Sequence, residues 1–234
     1  MAEGSCVIHL KRFHPYRDPS YYTHSFEVPL RERSTVLEAL IYIYENTDST
    51  LAFSFSCRYE RCGLCAVMVD GRPALACVTL LEDGQEIAPL RNLPLLKDLV
   101  VLREPLEALI QVERIFPVDG EGRPYEGGTQ NTGAVNFPVL KFDPYLDKLL
   151  GCMECLCCHA SCPVLAEEGL EEFAGPYIFV KMAQLHYDPR DTVDRAAQAK
   201  RLGVEKCRSC GRCTCPQGIE IYEKAILPFL EGRE

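Results

Sequence analysis

Positive charge is scarce in this 234-residue sequence: 25 Lys and Arg stand against 34 Asp and Glu, a net charge of −9. A nucleic-acid binder would normally show a basic patch, so no nucleic-acid partner is expected. No apolar run approaches the roughly 20 residues that cross a bilayer. Met1 to Arg12 has no basic head followed by an apolar core, so no secretory leader is expected and the chain reads as intracellular. No G-x-G-x-x-G motif is present, so no flavin or nucleotide site of that kind is expected. Hydrophobic content of 47% and charge of 25% are otherwise those of an ordinary globular chain, long enough for one large domain or two modest ones.

What the chain has in excess is cysteine, with fourteen. A disulfide scaffold needs an oxidising compartment and is usually shorter. Cysteines at ligand spacing in an intracellular chain more often bind metal. Cys152, Cys155, Cys158 and Cys162 read C-x2-C-x2-C-x3-C, closed by Pro163. Cys207, Cys210, Cys213 and Cys215 read C-x2-C-x2-C-x-C, closed by Pro216. Two such runs predict two iron–sulfur clusters with crossed ligands. Cys152, Cys155 and Cys158 hold one 4Fe-4S cluster, completed by Cys215. Cys207, Cys210 and Cys213 hold the other, completed by Cys162. The spacing puts three thiolates round one face of a cubane, and the two prolines are expected to stop the local helix and redirect the chain. A pair of zinc sites, in a zinc-stabilised interaction protein with no redox role, is the alternative from another class.

The first half carries a different pattern. Val7 to Phe13 alternates as a strand does, Pro15 to Pro19 supplies a turn, and Tyr22 to Leu30 is a second strand. Ser34 or Thr35 caps a helix over Val36 to Glu45, with Glu38 placed for a capping box. Cys57, Cys62 and Cys65 follow at C-x4-C-x2-C, and Cys77 comes after 11 intervening residues. That is plant-type 2Fe-2S spacing. Gly63 permits close backbone approach within the loop. Ala66 to Ala74 reads as strand, Asp-Gly turn and returning strand, bringing Cys77 back to the loop. Ile87 to Leu90 and Leu95 to Leu102 are the final strands. Strand pair, helix and cysteine loop are the order of a β-grasp ferredoxin.

The expected class is therefore α+β: a β-grasp 2Fe-2S domain over residues 1–103, then an α-helical two-cluster domain over 104–234. Residues 117–138 have loop composition. Asp143 and Pro144 start a short helix ending at Gly151. Further helices run from Gly175-Pro176 to Tyr187, from Asp191 or Thr192 to Leu202 with Gly203 as cap, and from Ile219, where Pro228 ends or kinks the last. Cys6 and Cys157 fall off the ligand phase and are expected as small buried hydrophobes. His159 and His186 are expected to be structural, and Arg208 to be solvated.

The segments Ser56-Cys57-Arg58-Tyr59-Glu60-Arg61-Cys62-Gly63-Leu64-Cys65, Leu75-Ala76-Cys77, Lys97-Asp98-Leu99-Val100-Val101 and Cys152 to Pro163 resemble the iron–sulfur subunit of succinate dehydrogenase/fumarate reductase, over nearly the whole chain. The resemblance implies an electron wire in complex II, with no catalytic residue of its own. The wire joins an FAD-containing flavoprotein, where the dicarboxylate reacts, to a membrane anchor that reduces quinone, on the cytoplasmic side of the membrane. The family usually has 2Fe-2S, 4Fe-4S and 3Fe-4S clusters, the last because the middle distal position is not cysteine. Here Cys210 fills it, which implies a second 4Fe-4S cluster, as in non-classical members. Cys213 and Cys215 are one residue apart where three are usual. The chain has no tryptophan, and Arg208 stands where the family's quinone pocket has histidine. Both departures fit a cysteine-rich, quinone-reactive anchor better than direct quinone contact. The iron–sulfur subunit of a thiol-dependent fumarate reductase is the nearest alternative; the chain ends 19 residues after Cys215, so no fused cysteine-rich domain is expected.

Overall fold

A computed structural model of the chain describes residues 4–118, 143–188 and 190–232; the expected loop lies outside them beyond residue 118. Strands β1 (Gly4–Arg12) and β2 (Tyr22–Leu30) pair antiparallel from Gly4↔Leu30 to Arg12↔Tyr22. Their period-two pattern turns Cys6, Ile8, Leu10, Phe26 and Val28 inward. Helix α1 (Val36–Asn46) lies over this face, burying Val36, Leu40 and Ile43. Thr35 and Glu38 form the expected capping box, each satisfying the other's backbone N–H.

Strands β3 (Ala66–Val69) and β4 (Arg72–Leu75) form the expected hairpin. Asp70 and Gly71 both have positive φ, 48° and 75°, as the tight primed turn requires. Strand β5 (Glu86–Ala88) runs parallel to β1 and antiparallel to β3, giving the sheet order β2-β1-β5-β3-β4. The stretch after it departs from a simple strand. It doubles back as β6 (Leu95–Lys97) and β7 (Val100–Val101), a separate two-stranded sheet. The cause is Asp98, whose carboxylate is drawn inward to the buried Arg12 guanidinium at 2.9 Å. Asp98 also accepts from the N–H groups of Phe13 and Ala52, so it ties β1 to the start of the cysteine loop.

The second half is helical: α2 (Glu104–Val112), α3 (Pro144–Leu150), α4 (Cys157–Ala160), α5 (Pro163–Glu168), α6 (Gly175–His186), α7 (Arg195–Arg201) and α8 (Leu227–Glu231). Helix α6 is buried on nearly every face and is the element round which the others pack. Three boundaries differ from the sequence expectation. Pro163 does not simply halt the chain; it opens α5, where its missing N–H costs nothing. Pro228 likewise opens α8, after a π-helical turn at Tyr222–Ile226. Helix α7 starts after Asp194, because the Asp191 carboxylate is engaged by Arg195 at 2.8 and 2.9 Å. Both charges of that pair are buried. Apolar side chains from the two halves join one continuous core.

Candidate iron–sulfur centres

The cysteines form one set in the first half and two in the second. The first is built by the loop after α1. Arg58 and Glu60 are left-handed, at φ 60° and 55°, which turns successive backbone N–H groups toward sulfur. The N–H groups of Tyr59 and Arg61 lie 3.3 and 3.4 Å from Cys57 Sγ, and they bring its thiol down to about 7. Cys65 is buried, and burial pushes its thiol up to about 12. The β3–β4 hairpin returns Cys77 to Cys65, helped by a 3.0 Å bond from the Ala76 N–H to the Cys65 carbonyl. Cys57 touches Cys62, and Cys65 touches Cys77, so the four sequence-expected residues gather in one place.

The second set follows α3. Cys152, Cys155, Cys158 and Cys215 line one opening, walled by Tyr177, Val180 and Ile221. Cys158, Cys162, Cys207, Cys210 and Cys213 line the next, walled by Pro176, Tyr222 and Ile226. Cys215 of the distal run thus lines the same opening as Cys152 and Cys155, and Cys162 of the proximal run lines the other with Cys207, Cys210 and Cys213. Cys158 borders both openings. Burial raises the thiols of Cys152, Cys158 and Cys162, and lifts those of Cys207 and Cys213 to about 12. Cys155 goes the other way, to about 7, because the buried Cys157 thiol donates to it.

This donor set fits iron–sulfur clusters. Crowded, buried thiolates are unstable alone, and the positive charge of iron is what favours deprotonated sulfur. A bound cluster then takes up and releases single electrons. Among the described residues, no group of three or more His, Cys, Asp or Glu side chains is gathered for a single metal ion.

Several supporting residues escape sequence reasoning. Asn92 donates from its amide to the carbonyls of His159 and Cys162, at 2.9 and 3.0 Å. Arg103 donates to the Glu154 carbonyl, while the Glu154 carboxylate accepts from Tyr177 at 3.2 Å and Lys181 at 2.9 Å. No local pattern marks these residues, although Asn92 and Glu154 both have positive φ. His159 is fully buried with no partner on either ring nitrogen. Burial brings its imidazole down to about 4, so it is neutral, packed beside Gly175 and Leu165. His186 packs against Tyr187 and Phe229. Arg208 pairs with Glu205 at the surface.

Comparison with known proteins agrees with this architecture. Residues 7–108 match a family described as a 2Fe-2S iron–sulfur cluster binding domain, and residues 151–220 match a 4Fe-4S dicluster domain. The fumarate reductase iron–sulfur subunit of Escherichia coli is 33% identical over 91% of this chain and 87% of its own length. The chain belongs to the succinate dehydrogenase/fumarate reductase iron–sulfur subunit family. Another relative is a fumarate reductase (CoM/CoB) subunit of Methanothermobacter marburgensis, 36% identical over 92% of this chain. This chain spans only 42% of that relative's length. A chain of the Mycobacterium smegmatis Sdh1 complex shares the fold, with a TM-score of 0.80, 24% identity, and coverage of 99% of this chain and 96% of that one.

Proposed function

We propose that the chain is the electron-transfer subunit of a fumarate reductase or succinate:quinone oxidoreductase. It relays electrons between an FAD-containing flavoprotein, where the dicarboxylate reacts, and a cysteine-rich, quinone-reactive membrane subunit. The observation that carries this reading is that the cysteine sets adjoin: Gly63, between Cys62 and Cys65, lies against Cys155, and Cys158 borders both openings of the second half. Cys57, Cys62, Cys65 and Cys77 are assigned to a 2Fe-2S cluster. Cys152, Cys155, Cys158 and Cys215 are assigned to a 4Fe-4S cluster, and Cys162, Cys207, Cys210 and Cys213 to a second one. The division into domains at about Arg103 follows this assignment. No helix among the described residues is long and apolar enough to cross a membrane; partner subunits hold the chain at the cytoplasmic face.

Anaerobic purification tests the reading. The protein is expected to be brown, to contain acid-labile sulfide, and to be reduced by succinate only when its flavoprotein is present. A colourless, zinc-loaded protein would refute it. Cys210 supports the second 4Fe-4S cluster, because it lines the same opening as Cys162, Cys207 and Cys213. Undamaged protein should therefore show no stoichiometric 3Fe-4S EPR signal, and Cys210→Ser should create one while losing one iron. The similarity to the Methanothermobacter protein favours a second reading, a thiol-dependent fumarate reductase; reduction of the clusters by thiols, and not by succinate, would select it.

A further inference from the structure

Gly63, between Cys62 and Cys65 of the first set, has φ +69° and lies against the second half of the chain. A Cβ built on it would sit 2.7 Å from the Met153 carbonyl oxygen and 2.9 Å from both Cα and Cβ of Cys155. No heavy side-chain atom fits there, and two of those three obstacles are backbone. The partner carbon matters: Cys155 Cβ carries a sulfur assigned to the proximal 4Fe-4S cluster. Two further contacts fasten the same seam. Arg103 donates to the carbonyl of Glu154, and Gln217, just past Cys215, donates to the carbonyl of Glu60 at 3.4 Å.

We infer that Gly63 is a positioning residue for electron transfer between the first two cysteine sets: its missing side chain lets the two ligand loops touch, and that contact fixes their separation. This deepens the electron-relay reading and rests on its ligand assignment. Electron tunnelling weakens exponentially with distance, and a gap through space weakens it more than the same length of covalent bond. At Gly63 only one van der Waals contact separates the backbone of the first loop from the Cys155 side chain. One electron crosses per event, lost by one cysteine-held centre and gained by the other, with no bond made or broken and no proton moved.

The test uses the full chain, purified anaerobically, with iron and sulfide content, EPR and electron-transfer kinetics after rapid reduction as readouts. Gly63→Ala should retain both signals while their magnetic coupling weakens and transfer between them slows severalfold. Gly84→Ala is the control for backbone strain, since Gly84 also has positive φ, +78°, but has nothing within 4 Å of where its methyl would stand; it should leave coupling and transfer unchanged. Full cluster content with unchanged coupling in Gly63→Ala would overturn the inference. If Gly63→Ala loses its 2Fe-2S cluster, Arg103→Met decides, because it loosens the same seam without adding strain. Weaker coupling at full content then supports the inference, and unchanged coupling overturns it. Absence of iron and sulfide from the unmodified chain would instead refute the electron-relay reading itself.

Discussion

Cys57 and Cys158 hold sulfur in opposite ways. Cys57 stands near the surface, beside the exposed Tyr59, and backbone N–H groups stabilise its thiolate. Cys158 is buried among other cysteines and apolar walls, and burial resists its ionisation. A loop that supplies its own N–H donors can present a centre to a partner protein. A buried set depends on bound iron for its charge balance, so its metal is part of the fold. The two cysteines thus meet the same need by local backbone geometry in one case and by tertiary packing in the other.

Substitution probes this contrast directly. Cys158→Ser is expected to have the largest effect, with loss of the proximal 4Fe-4S signal and a marked fall in the melting temperature of the helical half. Cys57→Ser should abolish the 2Fe-2S signal and leave the helical half folded. Iron content, visible circular dichroism and thermal melts of both variants check this. Equal destabilisation by the two would erase the distinction.

Among the described residues, each half also has a buried arginine–aspartate pair, Arg12–Asp98 and Arg195–Asp191. Arg195 further donates to the carbonyls of Arg114 and Phe116, so it pins the segment after α2 onto α7. Removing one partner strands a buried carboxylate, which typically costs about 3–5 kcal/mol. Arg195→Leu and Arg12→Leu should each destabilise by that order, with Arg195→Leu disturbing the 4Fe-4S signals first and Arg12→Leu the 2Fe-2S signal first. Denaturant melts followed through each signal measure this. A loss spread evenly over both halves would mean that they fold as one unit.

What is legible in the sequence is what short-range chemistry controls. Thr35 and Glu38 announce the start of α1, Asp70-Gly71 the hairpin, and cysteine spacing which cysteines line the same opening. What is not legible depends on partners far along the chain. Asp98 bends the final strand because Arg12, 86 residues earlier, draws it inward. Asp191 resembles a helix cap because its engagement by Arg195 is invisible to a capping rule. Pro163 reads as a stop and Pro228 as a stop or a kink, although a proline fits equally well in the first turn of a new helix. Gly63 is legible as a loop glycine, but its neighbours Met153 and Cys155 are not.

Asn92 crosses the seam, since it belongs to the first half and holds the second. Its two hydrogen bonds secure the turn that carries Cys162. Asn92→Ala should cost about 0.5–1.5 kcal/mol, since it removes two hydrogen bonds while the His159 and Cys162 carbonyls keep the backbone N–H groups of Cys162 and Ala166 as partners, and should shift the EPR spectrum of the cluster assigned to Cys162. Asn92→Gly keeps the left-handed backbone, φ 61°, while removing the amide. If the spectral shift appears in Asn92→Ala but not in Asn92→Gly, backbone strain and not the amide is responsible.

The smallest expected effect is a null pH dependence in the first half. Hydrogen bonds from Arg12, and then from Thr50, hold the Asp48 carboxyl well below the usual carboxylate range. A depressed folded pKa contributes stability that is complete above the unfolded value, about 3.9 for Asp, and is lost only as pH falls through the folded value. Between about pH 8 and 5 Asp48 is therefore ionised whether the chain is folded or unfolded. Asp48→Asn should lower stability by a constant amount across that window, read as parallel curves of melting midpoint against pH for the two proteins. Convergence of the curves as pH falls from 8 to 5 would mean that Asp48 is taking up a proton in that range and that the Arg12 bridge does not hold it ionised.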